Sequence, residues 1–208
     1  MTYRERNISP KLKWALLLVL LFNFSSEPQD YLTNPNLKNH YSDKKSSLIY
    51  PLARGSFKKS SGFGFRKHPL LKEELFHYGV DLAAKNSMPV FSIIDGKVIS
   101  VGESYGRGNY LEIRGERDDT SFTSLFYHLD TTLVEEGQKI DAGDLVARVG
   151  STGLSTDPHL HFGLEVNGKH VNPEGYFSFK TPFEEFMTGV RSFFNGAVSW
   201  TKDLARKI

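Results

Sequence analysis

The chain has 208 residues, which is enough for one sizeable hydrophobic core with additional segments. Its formal net charge of +2 gives no reason to expect nucleic acid or another strongly charged partner. An apolar content of 39% is typical of a globular protein rather than a disordered one. Because the sequence contains no cysteine, it excludes disulfide bonds, thiolate zinc sites and a cysteine nucleophile.

A basic segment followed by an apolar run opens the chain. Four Lys or Arg residues precede the run at 14–24, an order typical of an export signal. The run is shorter than the roughly 20 residues that a transmembrane helix needs. We expect residues 1–26 to be a signal peptide or an N-terminal membrane anchor, which places the protein in the periplasm or cell envelope. Cleavage after Ser25 or Ser26 and retention as an uncleaved anchor both stay open.

Residues 27–50 have the composition of a linker. They are polar, contain prolines and several Asn and Ser residues, and show no sustained hydrophobic period. We therefore expect a polar linker at 27–50 and a folded domain at 51–178.

The first stretch with candidate metal-binding residues is FHYGVDLAA, residues 76–84. His77 and Asp81 offer the nitrogen and oxygen ligands that zinc accepts. On a straight strand the two residues share a face but lie roughly 13 Å apart at Cα, which is too far for one ion. Gly79 between them can mark a bend or bulge that brings the side chains together. The HxxxD spacing alone is a weak indication of a site.

Short β-rich runs follow, with turns between them. In MPVFSIIDGKVISVGE, residues 88–103, the Asp95-Gly96 pair predicts a hairpin between two strands. Further strands are predicted within 106–116, 121–130 and 137–153. Strict alternation in the second of these would place Tyr127 and His128 on opposite faces. Short strands without helical stretches between them predict an antiparallel sandwich or barrel.

The stretch DPHLHFGLEVNG, residues 157–168, reads as a strand that ends in a tight Asn167-Gly168 turn. Alternation places His159 and His161 on one face, opposite a face of Leu, Phe and Val side chains. Two imidazoles aimed into the same space indicate a metal site, because neutral imidazole is the commonest protein metal ligand. A half-exposed strand with incidental histidines explains this stretch equally well on its own.

The last segment, residues 179–208, changes to a helical period. Apolar residues recur at helical spacing from Phe183 to Leu204, and Thr181 with Glu184 forms a capping box. We predict an amphipathic helix here. Docking on the body of the protein and contact with a membrane surface or partner are the two interpretations of its apolar stripe.

Several of these pieces occur together in one order. They are FGFRKHP (63–69), HYGVDLAA (77–84), DGKVISVG (95–102), FYHLD (126–130), VEEGQKIDAGDLVARVGSTG (134–153) and DPHLHFGLEVNGKHVNP (157–173). In their order and amino-acid sequence they closely resemble the lysostaphin-type (LytM-like) zinc metallopeptidases, which cut peptide bonds in bacterial peptidoglycan. The resemblance covers about residues 55–175. It departs at NSMPV (86–90), at the Gly after HLHF, and in the strand at 110–117, which lacks a common His-Gly ending.

The resemblance implies a role for five residues. His77, Asp81 and His161 match the three ligands of the family's zinc ion, one ion per chain. His128 and His159 match its catalytic histidines, with the division of work between them open. The departures from the family pattern touch none of these five positions. The resemblance also implies a mainly β metallopeptidase domain, and a substrate in peptidoglycan stem peptides or cross-bridges.

Other residues have plainer interpretations. His68 is expected at the rim or in a structural role, and His40 and His170 at the surface. The glycine-rich loop contains Tyr105, Arg107 and Asn109. These residues either line a substrate groove or have an ordinary role in the loop.

Three other functions stay open at this point. A catalytically silent regulator would keep the fold, and a wall-binding module would bind regardless of a chelator. A biotinyl- or lipoyl-type carrier domain would explain the sequence VEEGQKIDAGDLVARVG at 134–150, but it gives no role to the five histidine and aspartate positions.

Overall fold

The computed structural model describes residues 48–180 together with 184, 187 and 188, all within one compact unit, Lys38–Ile208. The predicted signal or anchor at 1–26, almost all of the predicted linker and most of the predicted C-terminal helix lie outside these residues. Within the part of the chain that is described, no helix is long and apolar enough to span a bilayer.

The described residues form twelve β-strands and a 3₁₀ turn at Pro173–Gly175. The strands are β1 (Lys58–Ser61), β2 (Gly64–Lys67), β3 (Glu74–His77), β4 (Gly79–Ala83), β5 (Pro89–Phe91), β6 (Gly96–Ser104), β7 (Gly108–Arg117), β8 (Thr120–Thr132), β9 (Lys139–Ile140), β10 (Leu145–Val149), β11 (His159–Val166) and β12 (Lys169–Val171). The predicted mainly β, antiparallel architecture is confirmed.

Ten of the strands form one antiparallel sheet with the central order β1-β4-β11-β8-β7-β6-β9. Strand β10 joins the sheet beside β8 and carries β5, and β12 pairs with β11. The remaining two strands, β2 and β3, form a separate two-stranded sheet. The three strands β4, β11 and β8 are therefore direct neighbours, and they carry most of the residues singled out above.

The core follows from alternation along these central strands. On β11, Leu160, Phe162 and Leu164 are fully buried, as the sequence pattern predicts. Phe162 packs against Phe126 of β8 and against Phe177 from the segment after the 3₁₀ turn. Burying such side chains stabilises the fold by about 1.5–3 kcal/mol each. The apolar face of β11 thus anchors the strand, and its opposite face is left for polar side chains.

Two of the predicted turns have different outcomes. The Asn167-Gly168 turn is confirmed, since both residues have positive φ angles, 51° and 74°, and join β11 to β12. The predicted Asp95-Gly96 hairpin is wrong, because β5 pairs with β10 whereas β6 pairs with β7 and β9. The Asp95 carboxylate instead accepts a hydrogen bond from the backbone N–H of Ala142. Long-range pairing has overridden the local turn signal.

The packed core also begins slightly before the predicted boundary at residue 51. Leu48, Ile49 and Tyr50 are all buried. The backbone N–H of Ile49 donates to the carbonyl of Ile93, and the Tyr50 hydroxyl donates to the carbonyl of Ser178. The first contact ties this segment to the loop after β5, and the second ties it to the segment after the 3₁₀ turn.

Candidate metal centre

Antiparallel pairing of β4 with β11 brings the first two site residues together. Asp81 and His161 are direct cross-strand partners, so their side chains project from the same face of the sheet. The distance from Asp81 Oδ1 to His161 Nδ1 is 3.1 Å. Both residues are buried.

His77 reaches the same point because the chain changes sheets at Tyr78. His77 ends β3 of the two-stranded sheet, and Gly79 begins β4 of the main sheet. The His77 Nε2 atom lies 3.0 Å from Asp81 Oδ1 and 2.9 Å from His161 Nδ1. The bend thus closes the gap that a straight strand would leave between His77 and Asp81.

The three side chains fit a zinc ion. They form a group that can hold a metal, with two imidazole nitrogens and one carboxylate oxygen. Tetrahedral bonds of about 2.0–2.1 Å place neighbouring ligand atoms roughly 3.3 Å apart, close to the distances found here. Three protein ligands leave the fourth position to water or substrate, which is typical of catalytic zinc.

Hydrogen bonds on the far side of His77 and Asp81 hold their metal-binding atoms toward the centre of the group. His77 Nδ1 lies 2.7 Å from the carbonyl oxygen of Gly62. Because a carbonyl can only accept, Nδ1 carries the hydrogen and Nε2 presents its lone pair to the site. Arg66 Nη2 donates to Asp81 Oδ2 at 3.0 Å, so Oδ1 is the atom that faces the histidines. Arg66 and Gly62 were not among the residues expected at the site, although both lie in or beside the FGFRKHP segment.

Electrostatics favour a charged Asp81 and a neutral His161. Burial raises the pKa of Asp81, but hydrogen bonds with His161 and His77 outweigh it and hold the pKa well below its usual range. Burial lowers the pKa of His161, although its hydrogen bond to Asp81 acts in the opposite direction. A charged carboxylate beside neutral imidazoles is the protonation state that metal binding requires.

Two neighbours fix the orientation of the His161 ring. A Cβ atom on Gly79 would lie 2.8 Å from His161 Nε2 and 2.6 Å from the Phe162 carbonyl, so the position admits no side chain. The Tyr127 ring stacks on the His161 ring at 5.0 Å between centroids and 5° between planes. Tyr127 is the cross-strand partner of His161 on β8, opposite β4. The ligand is thus enclosed from both neighbouring strands.

His128 reaches the site through a local break in β8. Its φ angle is +63°, and the register between β7 and β8 shifts beside it. As a result Tyr127 and His128 both line the same cleft, so the prediction that they lie on opposite faces is wrong. The backbone N–H of His128 donates to the carbonyl of Arg107, which holds this unusual conformation. A bulge of this kind redirects a side chain that strict alternation would send into the core.

The imidazole of His128 is held in its neutral form, with one ring nitrogen left as an acceptor. Its Nδ1 lies 2.9 Å from the carbonyl oxygen of Thr152, so Nδ1 carries the hydrogen and Nε2 the lone pair. Burial lowers the pKa of His128 to about 4, although the hydrogen bond to Thr152 acts in the opposite direction. His128 is therefore neutral at neutral pH.

His159 lies beside His128, with 4.8 Å between their ring centroids. Its Nδ1 donates to the carbonyl of Asp157 at 2.8 Å, so Nε2 is left as the acceptor. That Nε2 atom is 3.8 Å from Asp81 Oδ1, whereas His77 Nε2 and His161 Nδ1 are 3.0 and 3.1 Å from the same oxygen. His159 thus adjoins the ligands without belonging to the group of three.

All five residues face one cleft with a volume of about 610 Å³. Among the loop residues singled out above, Arg107 lines this cleft and Tyr105 projects into solvent with 84% of its surface exposed. Asn109 has a structural role, because its side chain donates a hydrogen bond to the Asp130 carbonyl.

The remaining histidines of the described chain lie outside the metal group. His68 lies at the cleft rim, as expected, and His170 pairs with Glu165 at the surface. His40 lies outside the described residues.

A mainly β domain with a buried histidine and aspartate group that opens on a cleft is the arrangement of a catalytic metal site. The model of the family described as Peptidase family M23 matches residues 75–173, and this chain belongs to that family. The resemblance to lysostaphin-type metallopeptidases is thereby confirmed.

Individual relatives agree with this assignment. The catalytic domain of lysostaphin from Staphylococcus simulans is 34% identical with a TM-score of 0.51, covering 58% of this chain and 91% of that domain. A zinc-containing peptidase from Vibrio cholerae is 36% identical with a TM-score of 0.53, covering 64% of this chain and 40% of that one. The peptidoglycan DD-endopeptidase ShyB of Vibrio cholerae is 38% identical over 124 residues, 59% of this chain. The match spans only 28% of the length of ShyB.

Proposed function

We propose that this chain is a zinc-dependent endopeptidase that hydrolyses peptide bonds in peptidoglycan stem peptides or cross-bridges. The observation that carries the proposal is the convergence of three ligand atoms within 3.1 Å of one another, beside two histidines that present acceptor nitrogens. The activities named for lysostaphin, an antimicrobial peptidase, and for ShyB, a peptidoglycan DD-endopeptidase, support the substrate class.

His77, Asp81 and His161 would hold the zinc ion. When bound, zinc acidifies a water molecule and polarises the carbonyl of the scissile bond. His128 and His159 would handle the protons and charges that hydrolysis creates. A neutral imidazole accepts the proton of the attacking water, and a protonated one donates to the developing oxyanion or the leaving amine. Either histidine can take either part, because both hold Nδ1–H on a backbone carbonyl and leave Nε2 free for this work.

The proposed activity is tested by digestion of purified muropeptides and cross-linked wall fragments, with products identified by mass spectrometry. We expect new amino and carboxyl termini at peptide bonds, and about one zinc per chain. Removing the metal with a chelator should abolish hydrolysis, and adding zinc back should restore it. Undiminished hydrolysis by verified metal-free protein would exclude a zinc mechanism. A zinc-loaded protein that cleaves no wall peptide would exclude the peptidase function.

We also propose that residues 1–26 direct the domain to the cell envelope, and that the amphipathic segment 179–208 adds a membrane contact. The test is fractionation of cells that express the full chain, a Leu17→Asp/Leu20→Asp variant, or a chain ending at Lys180. Each charge at the centre of an inserting segment costs roughly 2.5–3.5 kcal/mol, so the double variant should stay in the cytoplasm. The shortened chain should be exported and should leave the membrane fraction more readily. Unchanged export of the double variant, or unchanged membrane retention of the shortened chain, would refute the corresponding part.

A further inference from the structure

The cleft holds a positive charge that the proposed chemistry leaves unused. Among the described residues that line it, Arg66 and Arg107 carry a permanent positive charge. Arg66 is committed to the metal group through Asp81 Oδ2. The Arg107 side chain donates no hydrogen bond to His77, Asp81 or His161, and 38% of its surface is exposed. An arginine that faces the cleft without a role at the metal is a candidate for substrate recognition.

The guanidinium of Arg107 is held in place before any substrate arrives. Its Nη1 donates to Glu112 Oε1 at 2.9 Å, and its Nε donates to Ser104 Oγ at 3.3 Å. The guanidinium carbon lies 3.6 Å from the centroid of the Tyr110 ring, a cation–π contact that fixes its plane. Of five N–H donors, these two hydrogen bonds and one with the Tyr127 hydroxyl use at most three. Donors thus remain, and little side-chain entropy is lost when they bind an anion.

The distance from Arg107 to the metal group limits where that anion can be. The guanidinium carbon is 5.4 Å from the centroid of Tyr127, whose ring is 5.0 Å from that of His161. The guanidinium therefore lies within about 10 Å of a metal ligand. An extended peptide advances about 3.3 Å per residue, so this distance corresponds to about three residues of substrate.

We propose that Arg107 binds a free carboxylate of the peptide substrate, carried within about three residues of the scissile bond. The proposal rests on the peptidase function above and narrows the substrate class to acidic peptides. A guanidinium pairs with a carboxylate through parallel N–H···O bonds, which a neutral carboxamide cannot reproduce with the same strength. Arg107 is thus a specificity-determining residue, separate from the groups that act on the reacting bond.

The test uses the full zinc-loaded chain and a set of otherwise identical stem-peptide dimers, in which each free carboxylate near the scissile bond is converted singly to the amide. A hydrogen bond to a charged group contributes enough for about a 10- to 100-fold preference in kcat/KM for the acid form at one position. Arg107→Gln should reduce this acid-to-amide ratio to about one, and Arg107→Lys should give an intermediate ratio. Arg148→Gln, which removes a cation outside the cleft, should keep the wild-type ratio.

Binding of the same peptides, measured by calorimetry, separates this proposal from the peptidase function itself. If the protein binds acid forms more tightly but cleaves none, the recognition proposal stands and the catalytic proposal fails. If wild-type protein cleaves and binds acid and amide forms equally, Arg107 does not read a carboxylate. If Arg107→Gln slows both forms equally and keeps the ratio, Arg107 only supports the loop, and the proposal is overturned.

Discussion

Replacing His161 with alanine is expected to remove zinc from the folded protein and to abolish hydrolysis. The substitution deletes the Nδ1 atom that lies within hydrogen-bond distance of both His77 and Asp81, so only two of the three ligand atoms remain. Two ligands cannot reproduce the three-ligand arrangement of a catalytic zinc site. Zinc per chain, measured by atomic emission on gel-filtered protein, should fall far below one, and muropeptide release should fall to background.

His170→Ala is the matched control for this variant. His170 is also a histidine next to β11, but it lies outside the cleft and pairs with Glu165 at the surface. Its removal should leave zinc content and hydrolysis close to wild type. Circular dichroism of all three proteins establishes that the chains are folded. A His161→Ala protein that retains one zinc would show that the metal is held elsewhere.

The shared face of His159 and His161 was accessible to sequence reasoning because it depends on strand alternation, whereas the choice of three ligands came from the resemblance to the family. The pattern HLHFGLEV placed His159 and His161 on the polar face, and burial of Leu160 and Phe162 confirms that alternation. The meeting of His77 with Asp81 required a bend whose existence the sequence could only suggest through Gly79. The structure explains it by the change of sheet at Tyr78.

Long-range and backbone interactions account for what sequence reasoning missed. The orientation of His77 depends on the carbonyl of Gly62, and that of Asp81 depends on Arg66. Both contacts join residues 15 apart in sequence, so they follow only from the folded chain. The face of His128 was mispredicted because alternation assumes a regular strand, whereas its φ angle is +63°. Carbonyl groups have no sequence signature, so the acceptor that holds its ring, the Thr152 carbonyl, could not be foreseen.

Removing the His128 imidazole is expected to lower the hydrolysis rate about 10²- to 10⁴-fold while zinc stays bound. His128 lies outside the group of three ligands, and its ring centroid is 6.1 Å from that of His161. Its loss therefore removes a proton acceptor without removing a metal ligand. The measurement is zinc per folded chain beside the initial rate on one muropeptide, for His128→Ala and for His159→Ala, which we expect to behave in the same way.

The backbone of His128 requires a second variant, because alanine tolerates a φ angle of +63° poorly. His128→Asn suits this left-handed conformation better, and its amide can still donate to the Thr152 carbonyl. The asparagine side chain cannot serve as a base near neutral pH, so the rate should fall as it does for alanine while folding stability is largely kept. Retention of near-wild-type activity by the asparagine variant would show that His128 supports the loop and takes no part in proton transfer. Loss of zinc from the same folded variant would instead place His128 among the ligands, contrary to the three-residue assignment.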